Sequence, residues 1–61
     1  MKQGDIVRIS NPNKYYDFLE GYEGRIVNMS RDLIFVRVNY DGLKITEGFC
    51  KHEIEVVREG K

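Results

Sequence analysis

Sixty-one residues leave room for one compact unit and for no linker or second lobe, so a single domain is expected over residues 1–61, with an ordered core from about 4 to 58. The 41% hydrophobic and 33% charged content excludes the low-hydrophobicity, high-net-charge class of unfolded chains. Ten basic and ten acidic residues cancel, which excludes a long-range pull toward phosphate or anionic membrane and argues against a generic nucleic-acid binder.

No window sustains the i, i+3, i+4, i+7 apolar spacing of an amphipathic helix; alternation runs through the chain instead. Asp5 to Ser10 reads as a first strand, with Val7 and Ile9 on one face and Arg8 between them. Asn11 to Gly21 is the one long connection, containing Pro12, two tyrosines, Phe18 and Leu19. Gly24 to Met29 is a second strand whose adjacent β-branched Ile26 and Val27 suggest either a bulge or burial on both faces. A polar turn at Ser30-Arg31-Asp32 leads to a third strand, in which Ile34, Val36 and Val38 alternate with Phe35, Arg37 and Asn39. Asp41-Gly42 predicts a type I′ hairpin turn, because both central residues of that turn need positive φ. The fourth strand runs from about Leu43 to Cys50, Lys51-His52-Glu53 fits a single tight or 3₁₀ turn, and Ile54 to Arg58 is the fifth strand.

Five short strands, one long first loop, two tight hairpins and a turn before the last strand predict a small all-β, SH3-like barrel. A five-stranded OB barrel competes, but that fold often carries a helix between its third and fourth strands, where this chain has only Asp41-Gly42. The longest concentrated apolar run, Leu33-Ile34-Phe35-Val36, is far short of the roughly 20 residues of a membrane helix. With Cys50 as the only cysteine and no apolar segment at Met1-Lys2-Gln3, the expectation is a soluble protein of a reducing, intracellular compartment, without an internal disulfide.

Gly4-Asp5-Ile6-Val7-Arg8-Ile9 and Gly21-Tyr22-Glu23-Gly24-Arg25-Ile26-Val27 resemble the openings of KOW-type and other SH3-like barrels. Val36-Arg37-Val38, Asn39-Tyr40-Asp41-Gly42, Thr46, Phe49 and Glu53-Ile54 resemble photosystem I reaction-centre subunit IV. Asn11-Pro12-Asn13 with Tyr15-Tyr16 and Phe18 is similar to the S subunit of the NAD(P)H dehydrogenase-like complex. These belong to the electron-transport accessory group, which includes the variable chain of ferredoxin-thioredoxin reductase, and the resemblance spans roughly Gly4 to Val57. It implies a small, cofactor-free subunit that docks onto a larger complex. The connections before the third strand and around Asn39 are shorter than in the photosystem subunit, and Glu47-Gly48 replace its asparagine pair, so the fold transfers more safely than the role.

Tyr15, Tyr16, Phe18, Tyr22 and Tyr40 put aromatic mass in or beside loops, where rings offer large contact area at low entropic cost. They read either as a binding platform or as rings folded back to close one mouth of the barrel. A proline-peptide groove is the weaker variant, since the chain has no Trp. Arg8, Arg25 and Arg37 occupy outward positions on three strands and could form a basic strip for an acidic partner, or be scattered surface charges neutralised by Asp5, Glu23, Glu47 or Glu55. Cys50 and His52 would share a face of a continuing strand, but nucleophilic catalysis also needs an orienting group, a charge stabiliser and a pocket. The plainer reading is a small buried Cys50 beside Phe49 and an exposed His52. One Cys and one His fall short of the four ligands zinc wants. No glycine precedes a helix N-terminus in a phosphate-binding pattern.

The chain therefore reads as a non-enzymatic protein-interaction module without metal or cofactor, an accessory subunit of a larger complex. KOW-like binding to RNA or a ribonucleoprotein is the alternative. Neither a small-molecule substrate nor membrane insertion is expected.

Overall fold

Period-two alternation organises the chain. The computed structural model describes residues 1–60 and contains five strands: β1 Ile6–Ile9, β2 Glu23–Met29, β3 Ile34–Tyr40, β4 Leu43–Phe49 and β5 Ile54–Arg58. They form one antiparallel sheet in the order β4-β3-β2-β1-β5. Neighbours in sequence thus pair as hairpins, and only β5 crosses over, to lie beside β1. Among the described residues no ladder joins β4 to β5.

The strands turn alternate, mostly β-branched residues to one face. Val7, Ile9, Ile26, Ile34, Val36, Val38, Phe49 and Ile54 form the core, joined by Leu19 from the first loop. The opposite face carries Arg8, Arg25, Arg37 and Glu55, so a one-residue slip of any strand would bury charge, and this pins the register.

The ambiguity at Ile26-Val27 resolves as a bulge. Ile26 pairs with Val36 and Asn28 with Phe35, leaving Val27 as the extra residue. Gln3 Nε2 donates to the Val27 carbonyl at 2.9 Å, giving the irregular backbone a partner. A second register shift lies opposite Ile6-Val7, where β5 passes Val57 between Arg58 and Val56.

Asp41 and Gly42 both have positive φ, 51° and 84°, as the type I′ reading required. The β3–β4 ladder then runs unbroken from Tyr40↔Leu43 to Ile34↔Phe49. Gly48 pairs with Phe35, and a Cβ on it would lie 3.1 Å from both the Phe35 ring and the Leu33 side chain. Its bare backbone lets those two side chains lie flat across β4.

Two 3₁₀ turns complete the chain. Lys51–Glu53 falls where the sequence predicted it. Asp17–Leu19 lies inside the long loop and was not anticipated, because three residues are too few to show a period.

Two buried carboxylates stand at opposite ends of the β1–β5 pair. Asp5, 2% exposed, accepts from the backbone N–H of Lys2 at 3.0 Å and of Gly60 at 2.8 Å. Glu53, 4% exposed, accepts from the N–H of Asn13 at 2.9 Å and of Cys50 at 2.7 Å. Its own carbonyl takes the N–H groups of Ser10 and Asn11, both at 3.0 Å. Each buried charge is therefore satisfied by backbone donors, the condition under which a carboxylate tolerates burial.

Candidate interaction surfaces

The loop from Asn11 to Gly21 is ordered by several small contributions. Burying Leu19 is worth about 1.5–3 kcal/mol, while fixing backbone costs about 1–2 kcal/mol per residue, so one leucine cannot hold the segment. Backbone bonds add to it: Tyr16 N–H to Asn13 carbonyl, Leu19 N–H to Tyr16 carbonyl and Glu20 N–H to Asp17 carbonyl. Tyr15 N–H donates to Asn13 Oδ1 at 2.8 Å, an Asx turn. Gly21 N–H and Ile9 N–H close the base through the carbonyls of Ile9 and Tyr22.

This geometry divides the five aromatics of the sequence reading. Tyr16 packs on Phe49, with ring centroids 5.3 Å apart, and is half-buried against the core. Its phenol pKa is raised, first by hydrogen bonding to Glu47, then by desolvation and by the charges of Glu47 and Glu53. Phe18 meets Tyr40 edge-on at 5.2 Å, and Tyr40 meets Tyr22 at 5.4 Å. Tyr15 touches none of them through its ring and is 77% exposed. The fully buried residue of the loop is Leu19; Phe18, a candidate for closing the mouth, is 47% exposed. Neighbours in the loop thus divide: Leu19 and Tyr16 point inward, Phe18 and Tyr15 outward.

Leu43 extends the aromatic group. It is the cross-strand partner of Tyr40 and 68% exposed, so Phe18, Tyr22, Tyr40 and Leu43 make a continuous apolar patch beside the β3–β4 turn. Sequence reasoning passed over Leu43 as a strand residue next to a turn. The available signal was its inward parity, as the partner of Tyr40 at the turn end of the hairpin.

The three arginines do share the outer face but do not make one strip. Arg8 is the cross-strand partner of Glu23 and of Glu55, and its guanidinium reaches both, at 2.9 and 3.4 Å. Hydrogen bonding to Glu23 leads the causes that raise its pKa. Arg25 and Arg37 instead stand directly opposite each other. Arg25 donates to the Gly4 carbonyl at 3.3 Å. Among the described residues the ion pairs within 4 Å are those of Arg8. Two of the acids expected to neutralise arginines are thus engaged elsewhere, Asp5 with backbone N–H groups and Glu47 beside Tyr16. Arg58, which the sequence reading left out, joins the row of Arg25 and Arg37 because Ile6 is the cross-strand partner of both Arg25 and Arg58.

Cys50 and His52 do not share a strand face, since β4 ends at Phe49 and His52 lies in the 3₁₀ turn. Cys50 is partly exposed rather than buried, because the chain leaves the core there to begin that turn; His52 is exposed, as expected. No group of three or more His, Cys, Asp or Glu that could hold a metal ion occurs among the described residues. None of their helices is long and apolar enough to cross a membrane. No family model, curated protein or solved structure matches the chain.

Proposed function

We propose that this chain is a non-catalytic protein-interaction module, an SH3-like barrel of the electron-transport accessory type that serves as a small subunit docking onto a larger complex. The observation that carries the reading is the apolar patch of Phe18, Tyr22, Tyr40 and Leu43, in which Phe18 and Leu43 remain exposed although the core is complete without them. Exposed aromatic and aliphatic side chains in mutual contact are the composition of an interface centre. The barrel assignment is supported by the strand order with β5 beside β1, by the bulge in β2 and by the 3₁₀ turn before β5. The resemblance of Phe49 and Glu53-Ile54 to the photosystem subunit supports the accessory type, since these residues lie in the core or tie its edge. A reducing, intracellular setting goes with this reading, given a single cysteine.

Affinity capture with the full chain as bait, followed by mass-spectrometric identification, tests the proposal. A defined partner should be retained by the wild type and lost by Phe18→Ala/Leu43→Ala, with the melting temperature preserved because both side chains are exposed. Undiminished retention by that variant removes the patch from the interface. Tyr16→Ala is a poorer probe than its exposed neighbours, because the ring packs on Phe49. RNA binding that falls steeply with ionic strength would favour the KOW-like reading instead.

A further inference from the structure

The outer face carries a second feature that the aromatic patch does not explain. Thr46, Arg37, Arg25, Ile6 and Arg58 are successive cross-strand partners over all five strands. Like charges directly opposite one another destabilise a sheet, yet Arg37 and Arg25 face each other with no carboxylate within ion-pair distance among the described residues. One row away, Glu23 and Glu55 converge on Arg8. The acids of this face thus gather on Arg8, and the basic row has no carboxylate partner among the described residues, its one bond being that of Arg25 to the Gly4 carbonyl.

We infer that the Arg37–Arg25–Arg58 row is a docking surface for an extended acidic protein segment, one with carboxylates on alternate residues. The inference rests on the protein-interaction reading and names a partner chemistry for a different face of the same module. Geometry fits the occupant. Three strand spacings separate Arg37 from Arg58, about 14 Å, and an extended chain carries side chains i and i+4 about 13–14 Å apart on one face. Each guanidinium presents a planar fork that takes a carboxylate two bonds at a time. Arg25 and Arg37, one strand spacing apart, can share a carboxylate whose charge relieves their mutual repulsion.

Charge complementarity selects protein over nucleic acid. A phosphodiester strand on the basic row would bring uniform negative charge beside Glu23 and Glu55, about 7 Å away along β1, and the chain's ten basic and ten acidic residues supply no long-range attraction. An acidic peptide can place its neutral residues over that second row.

The test is an NMR titration of the isotope-labelled full chain at low ionic strength, reading backbone amides and arginine Nε–Hε resonances. The probes are a short peptide alternating Glu and Thr, the matching Lys/Thr peptide, and a uridine oligonucleotide of equal length. The Glu/Thr peptide should shift the resonances of Arg25, Arg37 and Arg58 and leave Arg8 in place. Arg25→Gln/Arg37→Gln should weaken binding about tenfold or more, while Arg8→Gln changes it by no more than about twofold. The double variant should melt no lower than the wild type, since it removes a like-charge pair. Tighter binding of the oligonucleotide, equal binding of the Lys/Thr peptide, undiminished binding by the double variant, or no shifts at these arginines each overturns the inference. Those failures leave partner capture through Phe18 and Leu43 untouched, so they are separable from failure of the interaction reading.

Discussion

The β3–β4 hairpin and the β1–β5 pair are both antiparallel ladders, but they are held by different means. In the hairpin, Asp41-Gly42 joins partners that are nearly adjacent in sequence, and seven residue pairs follow without interruption. In β1–β5, Arg8 lies 47 residues from Glu55, and the ladder is short and bulged. Closing a loop of that length costs about 2–3 kcal/mol more chain entropy than closing a two-residue turn. The non-local ladder is fastened at its two ends by buried carboxylates that collect backbone N–H groups 40 and 55 residues away. Local pairing needs a turn sequence; distant pairing needs side chains that bond across the gap.

Breaking the ties should therefore cost more than breaking the turn. The largest effect is expected from Glu53→Ala, which takes the acceptor from the partly buried N–H groups of Asn13 and Cys50, at about 1–2 kcal/mol each. A total of about 2–4 kcal/mol would consume most of the stability of so small a domain. Urea unfolding measures it, and a loss below about 1 kcal/mol would show that the loop holds without the tie.

Asp5→Asn comes next, because the amide keeps one acceptor oxygen and loses the charge. The carboxyl pKa of Asp5 is lowered from 3.8, first by the Gly60 N–H and then, against desolvation, by the Lys2 N–H and nearby positive charges. A depressed folded-state pKa means that the contribution is complete above the unfolded value near 4 and fades as pH falls through the lower folded value. Acid unfolding followed by circular dichroism should show a smaller loss of stability below pH 4 in the variant than in the wild type. Parallel curves would remove Asp5 from the acid response.

The smallest effect is expected from Gly42→Ala at the local turn. Its φ of 84° is costly for a residue with a Cβ, by about 1 kcal/mol. Nothing lies within 4 Å of the added atom, so the loss should appear as a modest drop in melting temperature with unchanged native spectra. A cost larger than that of Glu53→Ala would reverse the ranking of local and distant fastening.

Much of the sheet was legible in the sequence, because alternation and turn chemistry are local. Ile54 to Arg58, Lys51 to Glu53 and the Asp41-Gly42 turn stand where they were expected, and β1, β2 and β4 differ only at their ends. The surfaces were legible in part. Adjacency in the loop predicts that Tyr15 or Tyr16 is exposed, since neighbouring side chains rarely point the same way, and Tyr15 is the one; Phe18 stood open between platform and plug. That Leu19 rather than Phe18 fills the core depended on how the 3₁₀ turn rotates the loop. Arg25 and Arg37 could be assigned to the outer face by parity, but parity gives no register. Register made them opposite partners, gave Arg8 to Glu23 and Glu55, and added Arg58 to the row.

By itself the sequence determined the strands, the inward faces of β1 and β3, the hairpin turn and the absence of a long apolar segment, because each follows from residues within a few positions of one another. Only the tertiary structure decided that β5 lies beside β1, that Asp5 and Glu53 are buried ties and that Leu43 completes an aromatic patch. Those outcomes depend on which distant backbone donors and ring faces come within a few ångströms, and that follows from closing the chain on itself.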